Sequence, residues 1–209
     1  MKKFLKWVGI VLGALVGLIV IGLVVIYFNS QSRLTHVFDI PEEQVTIPTD
    51  SASIENGKHI FQFRGCEACH GENLQGTVYL DDPAVGKVIS TNLTTGKGGV
   101  GGERTDEEWA QAIRHGVRTD GTGLLFMPST EFYYLSDEDL GDVIAYIKSV
   151  PPADNEQPAS QISFTGRIVM TLVKGITFIP AELIPHEAAR PTAPTVGITP
   201  EYGAYLTQS

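Results

Sequence analysis

The stretch Cys66-Glu67-Ala68-Cys69-His70 constrains this chain more than any other feature of its 209 residues. Two thiols three positions apart, with a histidine directly after the second, form the C-x-x-C-H pattern of c-type haem attachment. At the end of a helix both thiols can add to the two vinyl groups of one haem, and the histidine then lies under the iron. We therefore predict one haem c per chain, bound covalently by Cys66 and Cys69, with His70 as an axial iron ligand.

Three other uses of the same residues are less favoured. Four-coordinate zinc needs two more Cys or His ligands, and the chain has no further cysteine. A thioredoxin-like redox pair requires a βαβ setting and leaves His70 without a role. A structural disulfide between Cys66 and Cys69 is the third alternative.

An apolar segment near the N-terminus predicts a membrane anchor. Residues 7–28 form an uncharged run of 22 residues, about 33 Å as a helix, against a hydrocarbon core of about 30 Å. A cleaved signal peptide is the alternative, but its apolar region is usually about 7 to 15 residues and ends at a small-residue site. Lys2, Lys3 and Lys6 place the N-terminus in the cytoplasm by the positive-inside rule. We expect a single-pass inner-membrane protein whose haem domain lies on the periplasmic, outer side.

Caps and breaks divide the remaining chain into segments. Residues 29–50 lack helical periodicity and predict a tether. Capped helices are expected from Asp50 or Ser53, from Thr105 and from Ser136, and the last should end before Pro151. The expected order is an anchor over 1–28, a tether over 29–50, a haem domain over 51–152 and a proline-rich linker with a short helix over 153–198.

Charge and a glycine-rich stretch exclude two other kinds of ligand. The formal net charge is −9, and removing the three leading lysines leaves 12 of 15 basic residues against 24 acidic ones, or −12. Nucleic acid is therefore not an expected partner, because phosphate binding needs the opposite sign. Residues 71–104 contain no phosphate-loop pattern. We expect this stretch to wrap one edge of a planar cofactor.

The supply of methionines limits the choice of second axial ligand. Of the three methionines, Met1 is on the cytoplasmic side and Met170 lies in an apolar helical pattern typical of core. Met127 lies in a loop between two predicted helices and precedes a proline. We predict Met127 as the second iron ligand, with His115 as the competitor. For His115, a place near a haem propionate or on the surface is the favoured interpretation.

With these motifs in place, the chain resembles class I c-type cytochromes, and more closely the membrane-anchored bacterial cytochromes that serve as subunits of respiratory dehydrogenases. The resemblance is carried by Gly57 and Phe61 before the haem motif, Thr91–Thr94, Ala112–Val117, Met127-Pro128, Leu135–Leu140 and Tyr146. It implies an all-α fold in which the first and last helices cross, with Gly57 and Phe61 near Tyr146. It also implies haem attachment on the periplasmic side.

Ligation by His70 and Met127 would close both axial positions of the iron. The favoured function is therefore single-electron transfer between redox partner proteins at the membrane, in a respiratory chain or as the electron-accepting subunit of a dehydrogenase, with no catalysis by this chain. A haem enzyme or gas sensor with a labile sixth ligand is the alternative, and a structural or assembly subunit is the third.

The end of the chain suggests a repeat. Residues 199–206 resemble residues 53–60 at a constant offset of 146, and repetition on that scale indicates a second copy of the same unit. We expect residues 199–209 to be the first helix of a second haem domain, with a chance match of an amphipathic tail as the alternative.

Overall fold

The computed structural model describes residues 1–189 and 192–207. Its first element, α1, is a helix over Lys2–Leu34, which extends six residues past the end of the apolar run. Its most apolar window has a mean hydropathy of 3.0 and none of it is buried against the rest of the protein. Among the described residues, α1 is the one helix long and apolar enough to cross a membrane. Residue His36, just beyond it, is exposed.

Helices α2 (Ser51–Phe63) and α6 (Asp137–Ser149) pack against each other. A Cβ on Gly57 would lie 1.9 Å from the carbonyl oxygen of Asp142, so only glycine allows this close approach. The rings of Phe61 and Tyr146 meet edge to face at 5.3 Å. The implied packing of the first and last haem-domain helices, with Phe61 against Tyr146, is confirmed, and Gly57 lies one turn earlier, against Asp142.

The helix starts follow the predicted caps. Asp50 caps α2 by accepting hydrogen bonds from the backbone N–H groups of Ala52 and Ser53. Thr105 and Glu108 form a reciprocal capping box at α4 (Asp106–Ala110), and Ser136 caps α6. These predictions are confirmed, because a cap depends on residues close in sequence. Short helices also cover Cys66–His70 (α3) and Ser129–Phe132 (α5).

Helix α4 continues as a π-helical segment over Gln111–His115. It ends at Gly116, which has a φ of 65° and takes the left-handed conformation that favours glycine. A Cβ there would lie 3.0 Å from the Ser129 hydroxyl oxygen. The turn therefore brings the end of this helix against the start of α5.

The structure adds a small sheet that the all-α expectation did not include. Strands β1 (Val78–Asp82), β2 (Gly86–Ile89) and β3 (Gln161–Ile162) form an antiparallel sheet in the order β1-β2-β3. The pairs Leu80–Val88 and Gly86–Ile162 set its register. The fold is mainly helical, and the sheet joins the glycine-rich stretch to the chain beyond Pro152.

The C-terminal third contains α7 (Phe164–Leu172), a 3-10 turn over Pro180–Leu183 and α8 (Pro200–Thr207). Helix α7 packs beside α1. Helix α8 contacts the start of α6, where the Tyr205 hydroxyl accepts a hydrogen bond from the Ser136 N–H at 3.0 Å. Residues 190–191 and 208–209, within the segments predicted as a linker and as a repeat, lie outside the described residues.

Two buried clusters hold the chain together. The first core packs α2, α4 and α6 around Trp109, Leu140 and Ile144. The second core contains Val117, Met170, Phe178, Ile179 and Ala181. Residues of the segment 29–50 contact both, since Val45 and Ile47 pack on the first core and Phe38 and Ile40 on the second.

Candidate haem site

Helix α3 presents the C-x-x-C-H residues between two left-handed glycines, Gly65 (φ 72°) and Gly71 (φ 80°). The Nδ1 atom of His70 lies 2.9 Å from the Thr91 carbonyl oxygen. A carbonyl can only accept, so Nδ1 carries the proton and Nε2 has a lone pair for a metal. Burial lowers the pKa of His70, which also favours the neutral ring. The Nε2 atom of His70 is therefore available to bind a metal.

Cys66 and Cys69 are both free thiols and partly buried. Burial raises the pKa of Cys66 to about 12 and also raises the pKa of Cys69, so both are protonated at neutral pH. No group of three or more Cys, His, Asp or Glu side chains among the described residues is arranged to hold a metal ion. A zinc site at this motif would therefore lack the extra ligands that tetrahedral coordination requires.

The three motif residues line a cavity of about 370 Å³, within the range of cofactor pockets. Most of the lining is apolar and comes from α2, α4, α6 and the loops between them, including Phe61, Leu93, Val100, Ile113, Leu125 and Leu135. Tyr79 and Val88 of the sheet also line it. The stretch 71–104 thus contributes one wall, in agreement with its expected place around the cofactor.

Two buried polar groups in the cavity wall lack partners among the described residues. They are the Trp109 Nε1–H and the Arg104 Nε–H, and Arg104 lies over the Trp109 ring at 5.4 Å. Burial lowers the pKa of Arg104. A buried donor without an acceptor costs about 1–3 kcal/mol. These donors fit a planar apolar group that carries its own carboxylates, as haem does, and the residues present therefore fit haem c.

Met127 lines the same cavity and packs on the first core. The preceding residue, Phe126, has a φ of 60°, a conformation that is strained for a bulky side chain. The Phe126 N–H donates to the Phe178 carbonyl at 2.9 Å, and the two rings stack with centroids 4.7 Å apart. The second core thus holds the Met127 loop in place.

The structure therefore brings together all four residues predicted for the site, Cys66, Cys69, His70 and Met127. Met170 is 2% exposed in the second core and is not among the described residues that line the cavity. His59 lies on the exposed face of α2.

The expectation that His115 lies on the surface was wrong. It is fully buried, and it neither lies on the surface nor lines the cavity in the described part of the chain. Its Nδ1 lies 2.8 Å from Nδ1 of His186 and its Nε2 lies 3.4 Å from Glu43. The reason is tertiary, since both partners are 71 or 72 residues away and their segments have no pattern that predicts contact.

Four residues of the site and its support were not predicted from the sequence: Arg104, Trp109, Phe126 and Phe178. Arg104 and Trp109 flank the recognised capping box, so their position beside it was an available signal. The support of Phe126 by Phe178 had no such signal, because the two residues belong to separate segments that meet only in the folded chain.

The cytochrome c family model matches residues 54–151. The chain is 34% identical over 137 residues to the fructose dehydrogenase cytochrome subunit of Gluconobacter japonicus, covering 62% of this chain and 28% of that protein. It is 32% identical over 124 residues to the cytochrome c subunit of the alcohol dehydrogenase (quinone) of Gluconacetobacter polyoxogenes, covering 55% and 26%. The gluconate 2-dehydrogenase cytochrome c subunit of Pantoea cypripedii is 30% identical over 102 residues, covering 46% and 23%. The chain spans about a quarter of the length of these relatives.

Proposed function

We propose that this chain is a membrane-anchored cytochrome that carries haem c and passes single electrons between redox partner proteins. The support is the match of residues 54–151 to the cytochrome c family model and the similarity to a dehydrogenase cytochrome subunit. Cys66 and Cys69 hold the haem covalently, and His70 and Met127 are its axial ligands. The haem domain lies on the periplasmic side of the inner membrane.

One observation carries the site assignment, the meeting of His70 and Met127 at a single cavity with both cysteines. The Thr91 carbonyl fixes the ring of His70, and the Phe126–Phe178 contact fixes the Met127 loop. With both axial positions taken, substrate has no open site on the metal, and the bound haem supplies a one-electron iron couple. The apolar wall excludes water, which lowers the local dielectric and helps to set the potential.

The anchoring proposal rests on α1. The helix is long enough to cross a bilayer, and its apolar side chains are exposed along residues 4–28. Lys2, Lys3 and Lys6 precede the apolar run, which favours a cytoplasmic N-terminus.

The proposed partner is a dehydrogenase that delivers electrons to this cytochrome. Its support is the identity of the relatives, which are cytochrome subunits of fructose, alcohol and gluconate dehydrogenases. The chain spans about a quarter of the length of those proteins. We therefore propose the partnership with a dehydrogenase and do not transfer it from the relatives. Purification in mild detergent should recover a dehydrogenase subunit with the chain.

The axial ligand is tested by Met127→Ala, with Met170→Ala as the matched control. The ferric protein should show the weak far-red band of iron–sulfur ligation. Met127→Ala should abolish the band and allow carbon monoxide to bind, because the sixth position is then open. Met170→Ala should leave the band in place, since Met170 lies in the second core.

Retention of the band in Met127→Ala, with its loss in Met170→Ala, would reassign the ligand to Met170. Carbon monoxide binding by the unaltered protein would instead favour a haem enzyme or gas sensor with a labile sixth ligand. Optical spectra of the three proteins, with and without carbon monoxide, separate these outcomes.

A further inference from the structure

We propose that α7 and the loop after it, residues 164–176, form a second membrane contact that enters the outer leaflet beside α1. This inference rests on the proposed anchoring by α1. The occupant of this surface is lipid, and its effect is to fix the orientation of the haem domain on the membrane.

Phe164 lies beside the part of α1 that would be inside the bilayer. Phe164 lines one surface groove together with Val20, Leu23, Val24, Tyr27 and Phe28 of α1. If the hydrocarbon ends near Phe28, residues 20–24 lie about 6–12 Å inside it at roughly 1.5 Å per residue. The groove extends from the level of Val20 to that of Phe28, so Phe164 at its border lies within this part of the hydrocarbon. Phe164 is also 43% exposed, so its free surface faces the medium that surrounds this part of α1.

The course of α7 agrees with this placement. Arg167, three residues after Phe164, lies over the Tyr27 ring at 5.1 Å and donates to the Ser30 hydroxyl at 3.1 Å. Three residues further, the Met170 carbonyl accepts from Arg33. Helix α7 therefore runs parallel to α1, with Phe164 at its deepest point. The Arg167 guanidinium lies where the apolar run ends, a level at which arginine can reach lipid headgroups.

The composition of this segment also fits a lipid surface. Residues 157–181 contain no acidic residue and two basic ones, Arg167 and Lys174, in a chain that is otherwise acidic. Helix α7 turns Gly166 and Met170 inward. Leu172 and Ile176 are 63% and 45% exposed. Exposed apolar side chains with neighbouring cations are typical of protein segments that contact an anionic bilayer.

Continuity with α1 favours lipid over a protein partner. The groove at Phe164 is lined by the surface of α1 that would face lipid in a single-pass anchor. The lipid that surrounds α1 therefore also contacts Phe164. A lone helix lets a domain rotate and tilt, whereas two contacts restrict it. Helix α7 belongs to the second core, which also holds the Met127 loop. A membrane contact at α7 therefore limits the rotation and tilt of the haem site.

The test places a nitroxide label at single positions of the full-length holoprotein in nanodiscs of phosphatidylcholine with a minority of phosphatidylglycerol. The labelled variants are Phe164→Cys and Leu172→Cys. Val16→Cys is the reference within the anchor, and Phe63→Cys is the matched control, an apolar residue of α2 that is 57% exposed. Collision rates with oxygen and with a water-soluble nickel chelate report the depth of each label.

We expect the label at 164 to favour oxygen nearly as strongly as the label at 16. The label at 172 should be shallower, and the label at 63 should favour the nickel chelate. If 164 and 172 behave like 63 while 16 remains in lipid, the second contact is overturned and the anchor stands. If 16 also favours the nickel chelate, the anchor itself is overturned. Shielding of 164 and 172 from both reagents would show that protein, not lipid, covers this surface.

Discussion

The first core, around Trp109 and Leu140, and the second core, around Met170 and Ile179, are closed in different ways. The first surrounds a cavity of about 370 Å³ and has donors on Arg104 and Trp109 without partners among the described residues. The second is closed by the chain itself. At its edge the Arg33 side chain pairs with Glu182 and donates to Thr177.

This difference separates two sources of stability. The first core needs a cofactor to fill its volume and satisfy its donors, so its folding should depend on haem. The second core is assembled from the end of α1, the segment 162–184 and the loop that precedes Met127. It lies mostly outside the residues that match the cytochrome c family, yet it supports the predicted iron ligand.

The largest expected effect comes from removing haem attachment with Cys66→Ser combined with Cys69→Ser. Without haem, a largely apolar cavity of about 370 Å³ is left unfilled, so the residues that line it lose packing contacts and the first core is destabilised. Hydrogen exchange should show lost protection in α2 and α6, with a smaller loss in α7 and residues 178–181.

Ala68→Ser is the matched control, because it alters the same helix and keeps both thiols. It should retain haem and protection throughout. Equal loss of protection in both cores of the double variant would show that the two cores unfold as one unit and that dependence on haem is not limited to the first core.

A smaller effect is expected from Phe178→Ala compared with Met170→Ala. Both residues are buried in the second core, and such truncations cost about 2–5 kcal/mol in the free energy of unfolding. Only Phe178 stacks on Phe126 next to the predicted ligand. Denaturant unfolding should show similar losses for the two variants, while the far-red band should weaken in Phe178→Ala alone.

Weakening of that band by the same amount in both variants would indicate that any loss of second-core packing loosens the Met127 loop. An unchanged band in both would mean that Pro128 and the first core hold the loop without Phe178.

The smallest expected effect is a pH dependence at the contact between the two regions. His186 follows the 162–184 segment of the second core. Its Nε2 lies 3.1 Å from the Ala181 carbonyl oxygen and donates to it, so its Nδ1 accepts a hydrogen bond from His115. His115 also lies beside Glu43 and the Tyr133 ring. Burial, followed by the neighbouring His115, lowers the pKa of His186. Its contribution to stability is therefore present above the unfolded value of about 6.5 and lost as the pH falls below it.

His186→Gln removes the titrating group at similar size. The slope of unfolding free energy against pH below about 6.5 should be shallower in this variant than in the unaltered protein. His59→Gln, at an exposed position of α2, is the matched control and should keep the original slope. Identical slopes in all three proteins would assign the pH dependence to other groups.

Local signals account for the parts of the fold that the sequence predicted well. The caps at Asp50, Thr105 and Ser136 were predicted because each one depends on residues within three positions. The sheet was missed for the opposite reason. Strand β1 is mostly exposed on both faces, so it shows no alternation of apolar residues. Strand β3 comes from beyond Pro152 and pairs with β2 through Ile162 and Gly86.

The sequence by itself determined the haem motif, the apolar helix, the helix caps and the small set of residues able to complete the site. Each of these is a property of neighbours along the chain or of residue supply. Only the tertiary structure decided that His115 turns toward His186, that Phe178 supports the loop of Met127 and that Phe164 lies against α1. These contacts join residues 52 to 144 positions apart, and no local pattern encodes them, because they form only when separate segments bury their surfaces against each other.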